Sequence, residues 1–325
     1  MFTLVLILSV LTGFLFSRSG RAKGAWYLRA TTDFLVFSVP YQRVITAQRT
    51  LPSQLPWLYP YLHWILTFPL PTHLEWTHKA RGDGWQGYWV GPNAAAVNDM
   101  ETLAASADFV ILDMHGGGFT AGNALMYLRT LVQWIADIEN GYGLRGLILS
   151  VEYGRLVFNA LITGDGTETS HAGGCLVLNL LAKGCECAAA VTISPWTRLR
   201  SDASTIHTLK DKDWISASGL KVCEDAYVPE GVDAHSSEIS PFYQTSFKNY
   251  PPLLVTYGTG ELFIEDIQAF VNKARKDQAT VDVLLRENMA HKWSMQPLYC
   301  PSLQAWKSDN AAIAQWMASH LRAKE

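Results

Sequence analysis

From Asp108 onward, short apolar runs alternate with stretches in which apolar residues return every three or four positions. The runs are Asp108–Met114, Gly146–Glu152, Phe158–Asp165, Ala188–Ser194, Pro252–Tyr257 and Thr280–Leu285. Their length and unbroken apolar character predict strands buried on both faces. Between the first two, Leu125, Leu128, Leu131, Val132, Ile135 and Ile138 share one helical face. After the fifth, Ile264, Ile267, Phe270, Val271 and Ala274 do the same, and a closing helix carries Ile313, Trp316, Met317 and Leu321 behind Ser308-Asp309. Strand–helix alternation of this kind predicts an α/β fold with a mostly parallel sheet covered on both sides.

The chain before this point has another rhythm. His73–Ala80 and Trp85–Gly91 alternate aromatic and polar residues around Arg81-Gly82-Asp83-Gly84, which predicts a β-hairpin; Asn93–Ala107 reads as a connector. Leu51–Pro71 holds five prolines among aromatic runs. That density excludes one long helix and leaves short ones with an apolar face, suited to covering a pocket, touching a membrane or packing on their own domain. The first sixteen residues are almost wholly apolar and uncharged, and Arg18, Arg21 and Lys23 follow. Such a stretch is short of the roughly 20 residues that span a bilayer. Basic residues on its C-terminal side would keep the bulk of the chain cytosolic. The expectation is membrane association through residues 2–16, at the endoplasmic reticulum, with secretion as the alternative. Three segments result: 1–20 as anchor or signal, 21–72 as a helical, aromatic and Pro-rich cap, and 73–325 as the α/β domain.

Composition narrows the function. Hydrophobic residues make up 49% of the chain and charged residues 17%, enough for a large core. A net charge of −3 without a long basic run points away from nucleic acid. The five cysteines form no CxxC pair, so buried or idle thiols are expected rather than a disulfide framework or a metal site.

The strongest chemical signal is Asp108–Phe119, DFVILDMHGGGF, a strand running straight into His115-Gly116-Gly117-Gly118. Consecutive glycines allow backbone conformations closed to other residues and can turn N–H groups toward one point, where an oxyanion would form. With Leu147–Tyr153, Ala172–Leu181, Ile193–Trp196 and a late Glu and His, the chain resembles the hormone-sensitive-lipase branch of the α/β-hydrolases. Within that branch it looks most like fungal steryl-acetyl-hydrolase-like and related carboxylesterase proteins. The likeness runs from about Trp76 to the C-terminus. It implies an α/β-hydrolase fold with an N-terminal cap. It also implies hydrolysis of a small hydrophobic ester, acetylated esters among the candidates, by a Ser–acid–His triad without a cofactor or metal. On this likeness Gly117 and Gly118 supply oxyanion donors. His291, just past the last strand, is the base. Glu261 matches the acid, with Glu265 and Asp266 as fallbacks.

The pattern breaks at the nucleophile. Relatives carry GDSAGG, a strand, a sharp turn with an exposed serine, then a helix. Here Gly164-Asp165 and Ala172-Gly173-Gly174 flank Gly166-Thr167-Glu168-Thr169-Ser170-His171. Counted backward the serine position holds His171, counted forward Gly166; Ser170 is the nearest hydroxyl. Just upstream, only Gly154-Arg155-Leu156-Val157 separates two predicted strands, so one crossover helix is expected to be missing after Tyr153. A mis-joined exon or a gene drifting out of use would account for both faults. The function expected is a serine carboxylesterase using Ser170, Glu261 and His291. The alternative is an inactive hydrolase-fold protein that still binds its ligand; a serine peptidase on the same fold is a weaker third.

Overall fold

The computed structural model describes residues 41–54, 75–83, 85–97, 99–119, 122–152 and 167–321, with the backbone alone for 48–54, 100, 101 and 167–172. The chain enters this region through helix α1 (Tyr41–Gln54) and the hairpin β1 (Thr77–Gly82) and β2 (Trp85–Val90). A short helix α2 (Met100–Ala105) leads to β3 (Phe109–Met114), α3 (Leu128–Tyr142) and β4 (Gly146–Glu152). Next come β5 (Thr167–Ser170), α4 (His171–Ala182) and β6 (Ala190–Ile193). Helices α5 (Thr205–Thr208) and α6 (Ala217–Tyr227) precede β7 (Leu253–Gly258), α7 (Ile264–Lys276), β8 (Val281–Arg286) and α8 (Leu303–Leu321).

The described strands form one eight-stranded sheet in the order β1-β2-β4-β3-β5-β6-β7-β8. The hairpin and the β2–β4 pair are antiparallel and the remaining pairs parallel. Successive side chains of a strand point to opposite faces, so each central strand feeds two cores. Phe109, Ile111, Ile148, Val191, Ile193 and Leu254 pack with α3 and α8. Ala190, Leu253, Val255 and Tyr257 pack on the other face with α4 and α7. Helix α3 shows how the sequence builds one cover: Leu128, Leu131, Trp134, Ile135 and Ile138 are buried along one stripe. It stops where Gly143 takes φ 70°, its N–H donating to the Glu139 carbonyl at 2.9 Å.

Three expectations need correction or a boundary. The connector over Asn93–Ala107 contains a 3₁₀ turn (Ala94–Ala96) and α2. In the sheet, β3 lies between β4 and β5. The strand between β3 and β6 is Thr167–Ser170, drawn from the stretch between Gly164-Asp165 and Ala172-Gly173-Gly174 that interrupts the nucleophile motif. Phe158–Asp165, and with it the crossover after Tyr153, lies outside the described residues, as do residues 2–16 and most of the Pro-rich segment. No helix among the described residues is long and apolar enough to cross a membrane.

Candidate active site

Parallel strands deliver their C-terminal ends to one edge of the sheet, and the candidate residues collect there because each follows a strand. The loop after β7 carries Glu261 and the loop after β8 carries His291, both fully buried. His291 Nδ1 lies 3.2 Å from Glu261 Oε2. A carboxylate only accepts, so Nδ1 is the donor and Nε2 becomes the basic nitrogen of the neutral ring. The other carboxylate oxygen, Oε1, accepts from the Gly258 N–H at 2.6 Å and from Ser194 Oγ at 2.8 Å. Burial, and then the nearby Asp213 carboxylate, push Glu261 well above the usual carboxylate range, against the pull of those two donors.

The acid and base loops are knitted backbone to backbone. The Gly260 N–H donates to the Met289 carbonyl at 2.9 Å, and the Thr259 N–H to Arg286 at 3.0 Å. The approach is so close that a Cβ on Gly258 would meet the Met289 oxygen at 2.1 Å. Beside them Ser194, at the end of β6, holds a left-handed backbone (φ 49°), and Lys292 does the same (φ 47°). The Lys292 N–H donates to Ser194 Oγ at 2.9 Å, so β6, β7 and β8 meet at one hydroxyl. Strained conformations on non-glycine residues persist only where the surroundings over-determine them.

Neither Glu265 nor Asp266, the fallback acids, contacts His291. Glu265 accepts from the N–H and Oγ of Ser204 at 2.8 and 2.6 Å, and Asp266 pairs with Arg198 at 3.4 Å. In the glycine loop His115 Nδ1 lies 2.7 Å from the Gly116 carbonyl, and burial lowers its pKa. Gly117 and Gly118 take φ 123° and 61°, and Phe119 follows at 63°. This run of positive φ explains the glycines, since side chains there are strained. Gly122 closes over the loop at φ 101°, where a Cβ would meet the Gly116 oxygen at 2.6 Å. Aromatic rings link this loop to the base. Phe119 stacks on Tyr227 at 3.7 Å and lies 6.1 Å from Trp196, Trp196 lies 5.4 Å from Phe263, and Phe263 lies 5.5 Å from His291. These rings make an apolar wall between the glycine loop and the buried pair.

Ser170 is the last residue of β5, in register with Ile193, and His171 is the first residue of α4. The two therefore straddle the strand-to-helix junction. Their side chains lie outside the described residues.

Several neighbours carried no signal in the sequence. Lys292 is buried, its Nζ donating to Tyr127 Oη at 2.7 Å and lying 4.8 Å from the Trp214 ring centre. Tyr41 on α1 accepts from the Ala290 N–H at 3.1 Å, which brings α1 against the loop that carries His291. Under the glycine loop, Ser150 Oγ lies 2.6 Å from Asp113 Oδ2 and 2.7 Å from the Ala124 carbonyl oxygen. A hydroxyl has one proton and a carbonyl only accepts. The Asp113 carboxylate and the Ala124 carbonyl therefore share the single Ser150 hydroxyl proton. Complete burial, opposed by the Ser150 bond, pushes Asp113 up to about 7. No disulfide joins any of the five cysteines, and among the described residues no cluster of His, Cys, Asp and Glu could hold a metal ion.

Residues 170–295 match the family model described as alpha/beta hydrolase fold; the match opens at Ser170 and includes Glu261 and His291 but not the glycine loop. No curated protein sequence matches the chain. Among solved structures, a hormone-sensitive lipase from a metagenome library is similar at TM-score 0.68 and 18% identity, over 86% of this chain and 98% of that one. An esterase from the bacterial hormone-sensitive lipase family reaches 0.67 and 21% over the same shares. The esterase EstE5, soaked with ethyl alcohol, reaches 0.62 and 21% over 75% and 84%. With the sheet order and the buried acid–base pair at its C-terminal edge, these likenesses establish that the chain has the α/β-hydrolase fold.

Proposed function

We propose that the protein is a carboxylic ester hydrolase acting on a small hydrophobic ester, with acetate esters of sterol-like or terpenoid alcohols as the first class to try. The observation that carries this reading is the buried pair of His291 and Glu261 at 3.2 Å, in the loops after β8 and β7. In the proposed reaction Ser170 Oγ attacks the ester carbonyl carbon while His291 Nε2 takes the hydroxyl proton. Glu261 orients the ring and stabilises the imidazolium; the main-chain N–H groups of Gly117 and Gly118 hold the oxyanion. His291 then gives its proton to the departing alkoxide, and water, activated by the same ring, releases the acid from Ser170. The aromatic wall of Phe119, Trp196, Tyr227 and Phe263 favours an apolar substrate and keeps water from the buried pair. The apolar residues 2–16 would hold the enzyme at a membrane where such esters partition.

A second reading has its own support. The residue directly before Ala172-Gly173-Gly174 is His171, so the junction offers a histidine where relatives offer the serine. On this reading the protein binds a hydrophobic ligand and does not turn it over. Hydrolysis of p-nitrophenyl acetate and a longer-chain ester, by the protein and by Ser170→Ala, separates the two. Turnover lost in the variant, with fluorophosphonate labelling at Ser170, supports the esterase. A folded protein that neither hydrolyses nor labels supports the binding protein.

A further inference from the structure

A second buried carboxylate underlies the acid–base pair. Asp213, in the loop between α5 and α6, is fully buried. It faces main-chain donors from three segments. Oδ2 accepts from the Leu262 N–H at 2.8 Å, the residue after the acid. Oδ1 accepts from the His291 N–H, the base itself, at 3.2 Å, and from the Trp214 N–H at 2.7 Å. Next to it, Trp214 Nε1 donates to the His291 carbonyl at 2.8 Å, and the Trp214 ring lies 5.7 Å from the imidazole. His291 is thus held at its N–H by one residue of this loop and at its C=O by the next.

We infer that Asp213 is a positioning residue for the acid–base pair, fixing the Glu261 and His291 loops at the separation the proton transfer needs. The inference rests on the role proposed above for His291. The loop reaches the site from outside the β7 and β8 connections and adds a third anchor to the two main-chain bonds that join them, Gly260 N–H to Met289 and Thr259 N–H to Arg286. A carboxylate suits the task because every contact it makes here is an accepted N–H bond, and it offers no proton to compete with His291 for Glu261. The cost of that arrangement is visible in the same place. Burial raises Asp213 to about 6 in spite of three N–H donors, and its charge helps to raise Glu261. A group placed only to fill space would not need a buried charge beside the acid of a triad.

The test is Asp213→Asn in the full chain. The amide puts an NH₂ against Leu262 N–H or against His291 N–H, whichever way it turns, so one loop loses its anchor. Asp277→Asn is the control, a carboxylate that accepts the Phe247 N–H at 2.6 Å far from these loops. The expected result is a fall in kcat of about a hundredfold with KM within twofold, and no change in kcat for the control. The second readout needs no turnover: the far-downfield proton resonance of the His291 Nδ1–Glu261 bond, assigned by its absence in His291→Gln. It is expected to vanish or move in Asp213→Asn and to stay in Asp277→Asn. Unchanged kcat together with an unchanged resonance overturns the inference. If the wild-type chain hydrolyses no ester, the esterase reading fails by itself and the resonance alone decides for or against Asp213. If Asp213→Asn does not fold, amide exchange of the wild-type chain decides: slow exchange at both Leu262 and His291 supports the clamp, and fast exchange at either refutes it.

Discussion

The two ends of the candidate site are built by opposite means. At the acid–base end, β6, β7 and β8 finish in loops tied by main-chain bonds, and the central residues Ser194, Glu261 and His291 are fully buried. At the nucleophile end, the strand is Thr-Glu-Thr-Ser, four polar residues between apolar neighbours, and it runs directly into a helix opening on His171. A general base is held by its surroundings and tolerates much change elsewhere. A nucleophile at a tight junction depends on one position in one register, since a single-residue step turns the side chain to another direction. The comparison sets a buried Glu261–His291 pair, held by many bonds, against a candidate nucleophile, Ser170, that depends on the register of one short strand.

The sharpest way to break the comparison is to remove one residue from each end. His291→Ala is expected to lower kcat/KM for p-nitrophenyl acetate by about three to four orders of magnitude, and Ser170→Ala by as much. Loss in the first and none in the second would show a base serving a different nucleophile.

A pH measurement probes the floor beneath the glycine loop, away from both ends. Asp113 binds its proton more tightly folded than unfolded, because its pKa rises from the ordinary value to about 7. Its stabilising contribution is therefore full below about pH 4 and is lost as pH rises to about 7, an effect of about 4 kcal/mol. Denaturant midpoints measured between pH 4 and 8 should show that decline, and Asp113→Asn should flatten it. An equal decline in the variant would place the proton elsewhere.

Smaller changes sharpen the picture of the acid–base end. Gly258→Ala drives a methyl into the Met289 carbonyl and should cost about 3 kcal/mol in thermal or denaturant stability. A stability within about 0.5 kcal/mol of the parent would mean that the two loops are not locked together. Ser194→Ala removes one of two donors to Glu261 Oε1 and leaves the Gly258 N–H in place, so kcat should fall only about tenfold. A loss as large as that of His291→Ala would move Ser194 from support to chemistry.

Much of the architecture can be read from local pattern alone. Gly146–Glu152 is a strand over the residues its apolar run marks, and the stripe from Leu128 to Ile138 is the buried face of α3. The hairpin turns at Asp83 as its alternation requires, although Arg81 and Gly82 belong to the strand. These features follow from periodicity, which is a property of neighbours in the chain. Gly117 and Gly118 of the HGGG motif are legible for the same reason, because their positive φ is a local demand. Glu261 is placed by its position after a strand, but its separation from His291, thirty residues away, is not.

The amino-acid sequence by itself determined the alternation of strands and helices, the glycine loop, and the chain order of the candidate nucleophile, acid and base. Only the tertiary structure decided which carboxylate meets His291, that Thr167–Ser170 takes the strand position between β3 and β6, and that Asp213, Ser194 and Lys292 belong to the site. Asp213 lies in an irregular loop with no periodicity, and its importance comes from N–H groups 49 and 78 residues distant. A residue that acts by accepting bonds from remote backbone leaves no mark in its own neighbourhood, because the backbone it serves is the same whatever the side chains are.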